Sequence, residues 1–196
     1  MDNIKSALEI AREKIEKIGE PTEEERLKWK HVPEGEKLAA RYLKEDCNLV
    51  TELNRYPENV RKYIVNGAAE ILIRTISLPK SDVVKKSNKK VMDGLKVLVR
   101  DKVGVENVYS KIRYLFNHYA EQGERQKKEA YEALKADFEA KLQQAVQQQL
   151  GSLVMAKIDV EKQPQFQQEW RKLQIQLDSQ YLNLLSEYKH ELSSIA

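Results

Sequence analysis

The sequence predicts an all-α protein: a multi-helix bundle over residues 1–122, then a long, coiled-coil-like antiparallel helical hairpin over 124–196. Three observations carry this reading. Apolar residues recur at steps of three and four almost throughout, the spacing that lines one face of a helix. Alternation of period two, the mark of a half-buried strand, extends nowhere beyond a few residues. The 196 residues include only 7 Gly and 5 Pro, several of them between the periodic stretches, so breakers are few and helices long.

Ile4, Leu8, Ala11, Ile15 and Ile18 form the first stripe, a helix over about 3–18 that Gly19 ends in the left-handed cap conformation. Thr22 and Glu25 have capping-box spacing and open a short helix carrying Leu27 and Trp29, which Pro33 and Gly35 break. The next helix spans about 36–56, with Leu38, Tyr42, Leu49, Leu53 and Tyr56 inward. Cys47 falls among its apolar residues and reads as a small core side chain rather than a nucleophile. Pro57 suits the first turn of a helix running to about Leu78, before Pro79. Ser81 or Asp82 caps a basic helix to about Lys102, and Gly104 separates it from one bearing Val105, Val108, Ile112, Leu115 and Tyr119. Gly123 ends or loosens that helix.

Beyond Gly123 the composition shifts to Ala, Glu, Lys and Gln, with no Gly or Pro up to Leu150. Tyr131, Leu134, Phe138, Leu142, Val146 and Leu150 form one stripe. After a loop over about 151–163, Phe166, Trp170, Leu173, Leu177, Tyr181, Leu184, Tyr188 and Leu192 form another. One antiparallel register pairs Leu150 with Phe166 at one end and Tyr131 with Leu184 at the other, and sets Leu134 opposite Tyr181. Arms of this length reach about 45 Å at 1.5 Å per residue. The register also sets the glutamines of 143–149 opposite those of 163–168.

The formal net charge of +3 is too small to imply nucleic acid by itself. A single cysteine excludes an internal disulfide, Met1–Ile18 lacks the apolar run of a signal peptide, and the longest apolar run, Leu153–Ala156, is far too short to span a membrane. The expected location is therefore the cytoplasm, with no membrane partner.

Residues 80–102 contain eight basic and three acidic residues. Lys86, Lys89, Lys96 and Arg100 share one side of the helix, flanked by Lys85 and Lys90, a candidate anion-binding stripe. No aromatic interleaves with them, and a solvated helix face complementing the acidic first 36 residues is the plainer account. Glu187 and His190 have the Glu-x-x-His spacing of di-iron bundles, but no second copy exists. His118 reads as a packed or surface histidine. No phosphate loop, nucleophile elbow or Cys-x-x-Cys is present, so no catalytic, cofactor or metal residue is assigned and the balance leans away from an enzyme.

The expected role is a structural or protein-interaction module acting through the C-terminal arm, by homodimerisation or with a helical partner. A two-helix hairpin leaves long flanks, and Phe166, Trp170, Tyr181 and Tyr188 are the candidate interface. The alternatives are nucleic-acid or other polyanion binding through the basic helix over 82–102, and an enzyme whose site is too dispersed to read from one sequence.

Overall fold

A computed structural model describes residues 21–45, 47–150 and 159–196, except the side chains of 149 and 150. The helix expected over 3–18 and most of the expected loop lie outside the described residues. The protein is all-α: no strand occurs among the described residues, and no helix among them is long and apolar enough to cross a membrane. The chain divides into two compact units, Met1–Leu72 and Ile73–Ala196.

The first unit contains α1 (Glu23–Lys44), α2 (Leu49–Leu53) and the greater part of α3 (Glu58–Thr75). Thr22 and Glu25 form the expected capping box: the Glu25 N–H donates to Thr22 Oγ1 at 3.2 Å, and the Thr22 N–H donates to Glu25 Oε2 at 2.8 Å. Helix α1 then runs through Pro33 and Gly35, where a break is expected. Pro33 removes one backbone donor, but Gly35 keeps the helix pressed against α3. A Cβ on Gly35 would lie 2.1 Å from the Ile64 carbonyl oxygen, and one on Gly67 would lie 2.1 Å from the Val32 carbonyl oxygen. Each glycine thus sits against the carbonyl three residues before the other, and only hydrogen-sized side chains permit the approach. Leu38, Ala39, Ile64, Ala68 and Leu72 are buried in this unit.

The helix expected over 36–56 is two helices. Asn48 ends the continuity, because its side-chain oxygen accepts from the Val50 and Thr51 N–H groups and starts α2. Arg41 pairs with Glu52.

The second unit contains α4 (Asp82–Leu98), α5 (Lys102–His118), a π-helical turn (Tyr119–Gly123), α6 (Glu124–Leu150), a 3-10 turn (Val160–Lys162) and α7 (Pro164–Ile195). Ser81 caps α4 and Asp101 caps α5. Lys102 opens α5 and also donates to the Val99 carbonyl at the end of α4, at 2.6 Å. Gly104 therefore lies in the first turn of α5 rather than between helices. Helix α3 stops at Thr75, short of Leu78, because the buried Asn88 carboxamide takes both Ser77 backbone groups: Ser77 N–H to Oδ1 at 3.0 Å, Nδ2 to Ser77 O at 2.6 Å.

Helix α5 passes through the π turn into α6 without interruption, so the expected division at 122–124 coincides with a loosened turn inside one long helix. Helix α7 packs on both α5 and α6. Its pairing differs from the expected register. Tyr181 meets His118 and Tyr119 rather than Leu134, and Tyr131 meets Phe166 and Trp170 rather than Leu184. Phe166 packs on Phe138. Leu184 is 41% exposed while its neighbour Leu185 is buried, and Asp178 is buried with it. The inward ladder is Asp178, Tyr181, Leu185, Tyr188 and Leu192, turned away from the all-apolar stripe so that a carboxylate comes inside.

Candidate functional site

Helices α4 and α5 border a groove of about 590 Å³, within the range of small-molecule sites. Its floor is made by buried Pro79, Asn88 and Tyr109 with half-buried Met92 and Phe116. The polar atoms of that floor are already engaged. Asn88 is held by Ser77, and the Tyr109 hydroxyl donates to the Met92 carbonyl at 2.9 Å. Burial, with the nearby Asp93 and Glu106 carboxylates, pushes the Tyr109 phenol well above its ordinary value, so it stays neutral. The floor therefore presents mainly carbon.

The rim is charged. Lys85, Lys89, Lys96 and Arg113 line it, with Asp93 and Asn117. Three of these cations already have carboxylates. Lys85 is 3.0 Å from Asp82, while Lys96 and Arg113 both lie 2.5 Å from Glu106. Hydrogen bonds from Lys96 and Arg113 hold the Glu106 carboxyl below its ordinary range. Lys89 makes no ion pair or hydrogen bond among the described residues.

Of the six cations singled out in the sequence, the structure brings Lys85, Lys89 and Lys96 to the groove. Lys86 and Lys90 are not among its lining residues, and Arg100 lies beyond the end of α4. Arg113, Met92 and Phe116 were not legible as site residues, because they belong to no stripe that basic residues mark.

A second polar constellation lies beside the groove. Pro79 and Ala120 line the groove, and their chain neighbours Lys80 and Tyr119 turn to Asp178. Asp178 is 4% exposed, with Lys80 Nζ at 2.6 Å and Lys127 Nζ at 2.9 Å. The Tyr119 hydroxyl donates to it at 3.1 Å and accepts from Lys127. Burial alone would raise the Asp178 carboxyl, but the two ammonium groups outweigh burial and hold it below the usual carboxylate range. Burial opposes the Lys127 charge, yet hydrogen bonds to Tyr119 and Asp178 hold that ammonium above its ordinary value. A nucleophilic lysine needs the opposite shift. The cluster is an ion-pair clamp between α6 and α7, and the π turn that carries Tyr119 lets the ring reach it.

Residues 50–194 match a family described as Family of unknown function (DUF6657). The chain belongs to this family. The DUF6657 match takes in every residue of the groove and of the Asp178 cluster, together with Gly67, and leaves out α1 and Gly35. No curated protein and no solved structure matches the chain.

The candidate interface residues are divided by the structure. Phe166 and Tyr181 are buried against residues of their own chain, at 2% and 8% exposure, so they offer no surface to a partner. Trp170 and Tyr188 are half-buried, against Tyr131 and beneath Lys111 respectively. Helices α5 and α6 supply the cover that the sequence alone left open. Among the described residues no group of three or more His, Cys, Asp or Glu side chains is placed to hold a metal ion.

Proposed function

We propose that the unit Ile73–Ala196 is a binding module whose α4–α5 groove takes an anionic ligand, and that it works by binding rather than by catalysis. One observation carries this reading: four cationic side chains stand around a carbon-faced groove of about 590 Å³, and among the described residues Lys89 has no carboxylate partner. The same reading takes α6 and α7 as an antiparallel, coiled-coil-like arm that braces α5, the far wall of the groove. The contacts Lys111–Glu191, Lys127–Asp178 and Lys135–Glu161 support it, since residue numbers rise in one partner as they fall in the other.

The test is titration with the anionic fluorophore 1-anilinonaphthalene-8-sulfonate. The folded protein is expected to bind one equivalent with an affinity that weakens as salt is raised. Lys85→Glu/Lys89→Glu is expected to abolish binding with the melting temperature little changed, since both side chains are exposed. Absence of saturable binding would defeat the groove reading.

A protein-interaction role for the arm rests on narrower ground. Ile175 and Leu182, seven residues apart on α7, are 69% and 47% exposed. They lie on one line of the helix, which favours self-association there rather than through Phe166 and Tyr181. Sedimentation of Ile175→Glu against the parent chain tests it: a concentration-dependent dimer lost in the variant supports this second reading, and a monomeric parent ends it.

A further inference from the structure

We infer that the ligand of the groove is a soluble amphiphile with one anionic head and an apolar chain, its head held at Lys89. This deepens the anion-binding reading and rests on it. Lys85, Lys89, Asp93 and Lys96 follow one another along α4 at steps of four, four and three, so they form a single row beside the groove. The row spans about 16 Å at 1.5 Å per residue.

Its order decides the ligand. A polyanion tracking the row would have to pass the exposed Asp93 carboxylate, and would have to take Lys96 and Arg113 from Glu106. One head at the Lys85–Lys89 end avoids both. The rest of the ligand then lies over Met92, Phe116 and Tyr109, where the polar side chains of the floor, Asn88 and Tyr109, are already engaged. Charge at one end and carbon along the remainder describe a carboxylate or sulfate on an alkyl chain. A sugar phosphate or a nucleic acid strand lacks that division. Lys89 has no pair to break among the described residues, so it supplies the largest share of head-group recognition, and Lys85, whose partner Asp82 is exposed, supplies less.

Competition against the bound fluorophore tests this on the full chain. Decanoate, below its micellar concentration, is expected to displace the dye, hexanoate to do so far more weakly, and inorganic phosphate not at all. Lys89→Ala is expected to weaken decanoate about tenfold, the usual size of one charge-assisted contact. Lys86→Ala, on the same helix but outside the groove, is expected to leave it unchanged. Decyl maltoside displacing as well as decanoate would show that the head is not read and would overturn the inference. So would displacement by a single-stranded oligonucleotide with none by decanoate, although the groove would then still be an anion site. Capture of the protein by anionic vesicles without displacement by free decanoate would overturn the assignment to a soluble ligand. Failure of the dye to bind at all falls on the groove reading instead, so the two failures are distinct.

Discussion

In the unit ending at Leu72, α1 and α3 meet through glycine; in Ile73–Ala196, α6 and α7 meet through aromatic rings and a buried charge cluster. The Gly35–Gly67 contact places backbone on backbone, with no room for a methyl group at either position. The Asp178 cluster brings a buried carboxylate, two ammonium groups and a phenol together. The first device fixes how close two helices come, because a steric limit acts at one crossing point. The second fixes which residues stand opposite, because a buried carboxylate is tolerated only where its cations are. In the register expected from the apolar stripes, Asp178 would face Asp137, a like charge whose neighbouring cation, Lys141, already pairs with it at 2.6 Å. The observed register instead brings Lys80 and Lys127 to the buried carboxylate.

The sharpest way to break the comparison is Asp178→Ala. It leaves the largely buried Lys127 ammonium with only the exposed Glu124 carboxylate, at 3.3 Å, and is expected to lower stability by about 3 kcal/mol in denaturant unfolding. A loss under about 1 kcal/mol would mean the charges are not paying a burial penalty, and the contrast with the glycine contact would fail. The companion variant Asp178→Leu/Lys127→Met is expected to recover most of that stability while loosening the register. Thiol crosslinking of Tyr131→Cys/Phe166→Cys, in a Cys47→Ser background, is then expected to become less selective over neighbouring cysteine pairs.

Gly35→Ala comes next in size. Helix propensity alone predicts a gain approaching 1 kcal/mol, whereas a Cβ pressed on the Ile64 carbonyl predicts a loss of about 1–3 kcal/mol. The net sign is expected to be destabilising, read as a lowered midpoint of thermal unfolding. Gly67→Ala is expected to behave alike, and the double variant to cost less than the two single losses together, because both act on one contact. A stabilised Gly35→Ala would show that the helices move apart at little cost.

Acid sharpens the contrast. The folded Asp178 carboxyl lies below its unfolded value of about 3.9. Its contribution is therefore complete above about pH 4 and is lost as pH falls through the lower, folded value. Denaturation midpoints measured between pH 2 and 6 are expected to fall less steeply for Asp178→Leu/Lys127→Met than for the parent, while Gly35→Ala shifts the curve without changing its slope. The smallest effect is expected from the exposed pair Lys111–Glu191: Lys111→Ala is expected to cost about 0.2–1 kcal/mol, decreasing with salt. A cost as large as that of Asp178→Ala would remove burial as the reason the cluster matters.

Much of the local structure was legible in the chain. The Thr22–Glu25 capping box, the Ser81 cap and the loosening at Gly123 are decided by a few neighbouring residues, and local chemistry carries them. The basic row on α4 was legible too, but only as a row of charges. That Lys85, Lys89 and Lys96 border a groove depends on Phe116 and Arg113 arriving from α5. Asp178 left one trace: it stands on the ladder that continues through Tyr181, Leu185, Tyr188 and Leu192 at steps of three and four. Lys127 likewise sits one turn from Tyr131 and Gly123. A lone acid on one apolar ladder and a lone base on another are a pairing signal, and an apolar stripe chosen for hydrophobicity passes over both.

Composition and period by themselves determined that this protein is helical, because helix formation along an amphipathic segment is a short-range matter of spacing, caps and breakers. Tertiary structure alone decided that Pro33 and Gly35 lie inside a helix, that Phe166 and Tyr181 face their own chain, and which residues of α7 meet α6. Those outcomes depend on steric fit and on the desolvation of charge between segments far apart in sequence. Neither quantity exists until the helices are side by side.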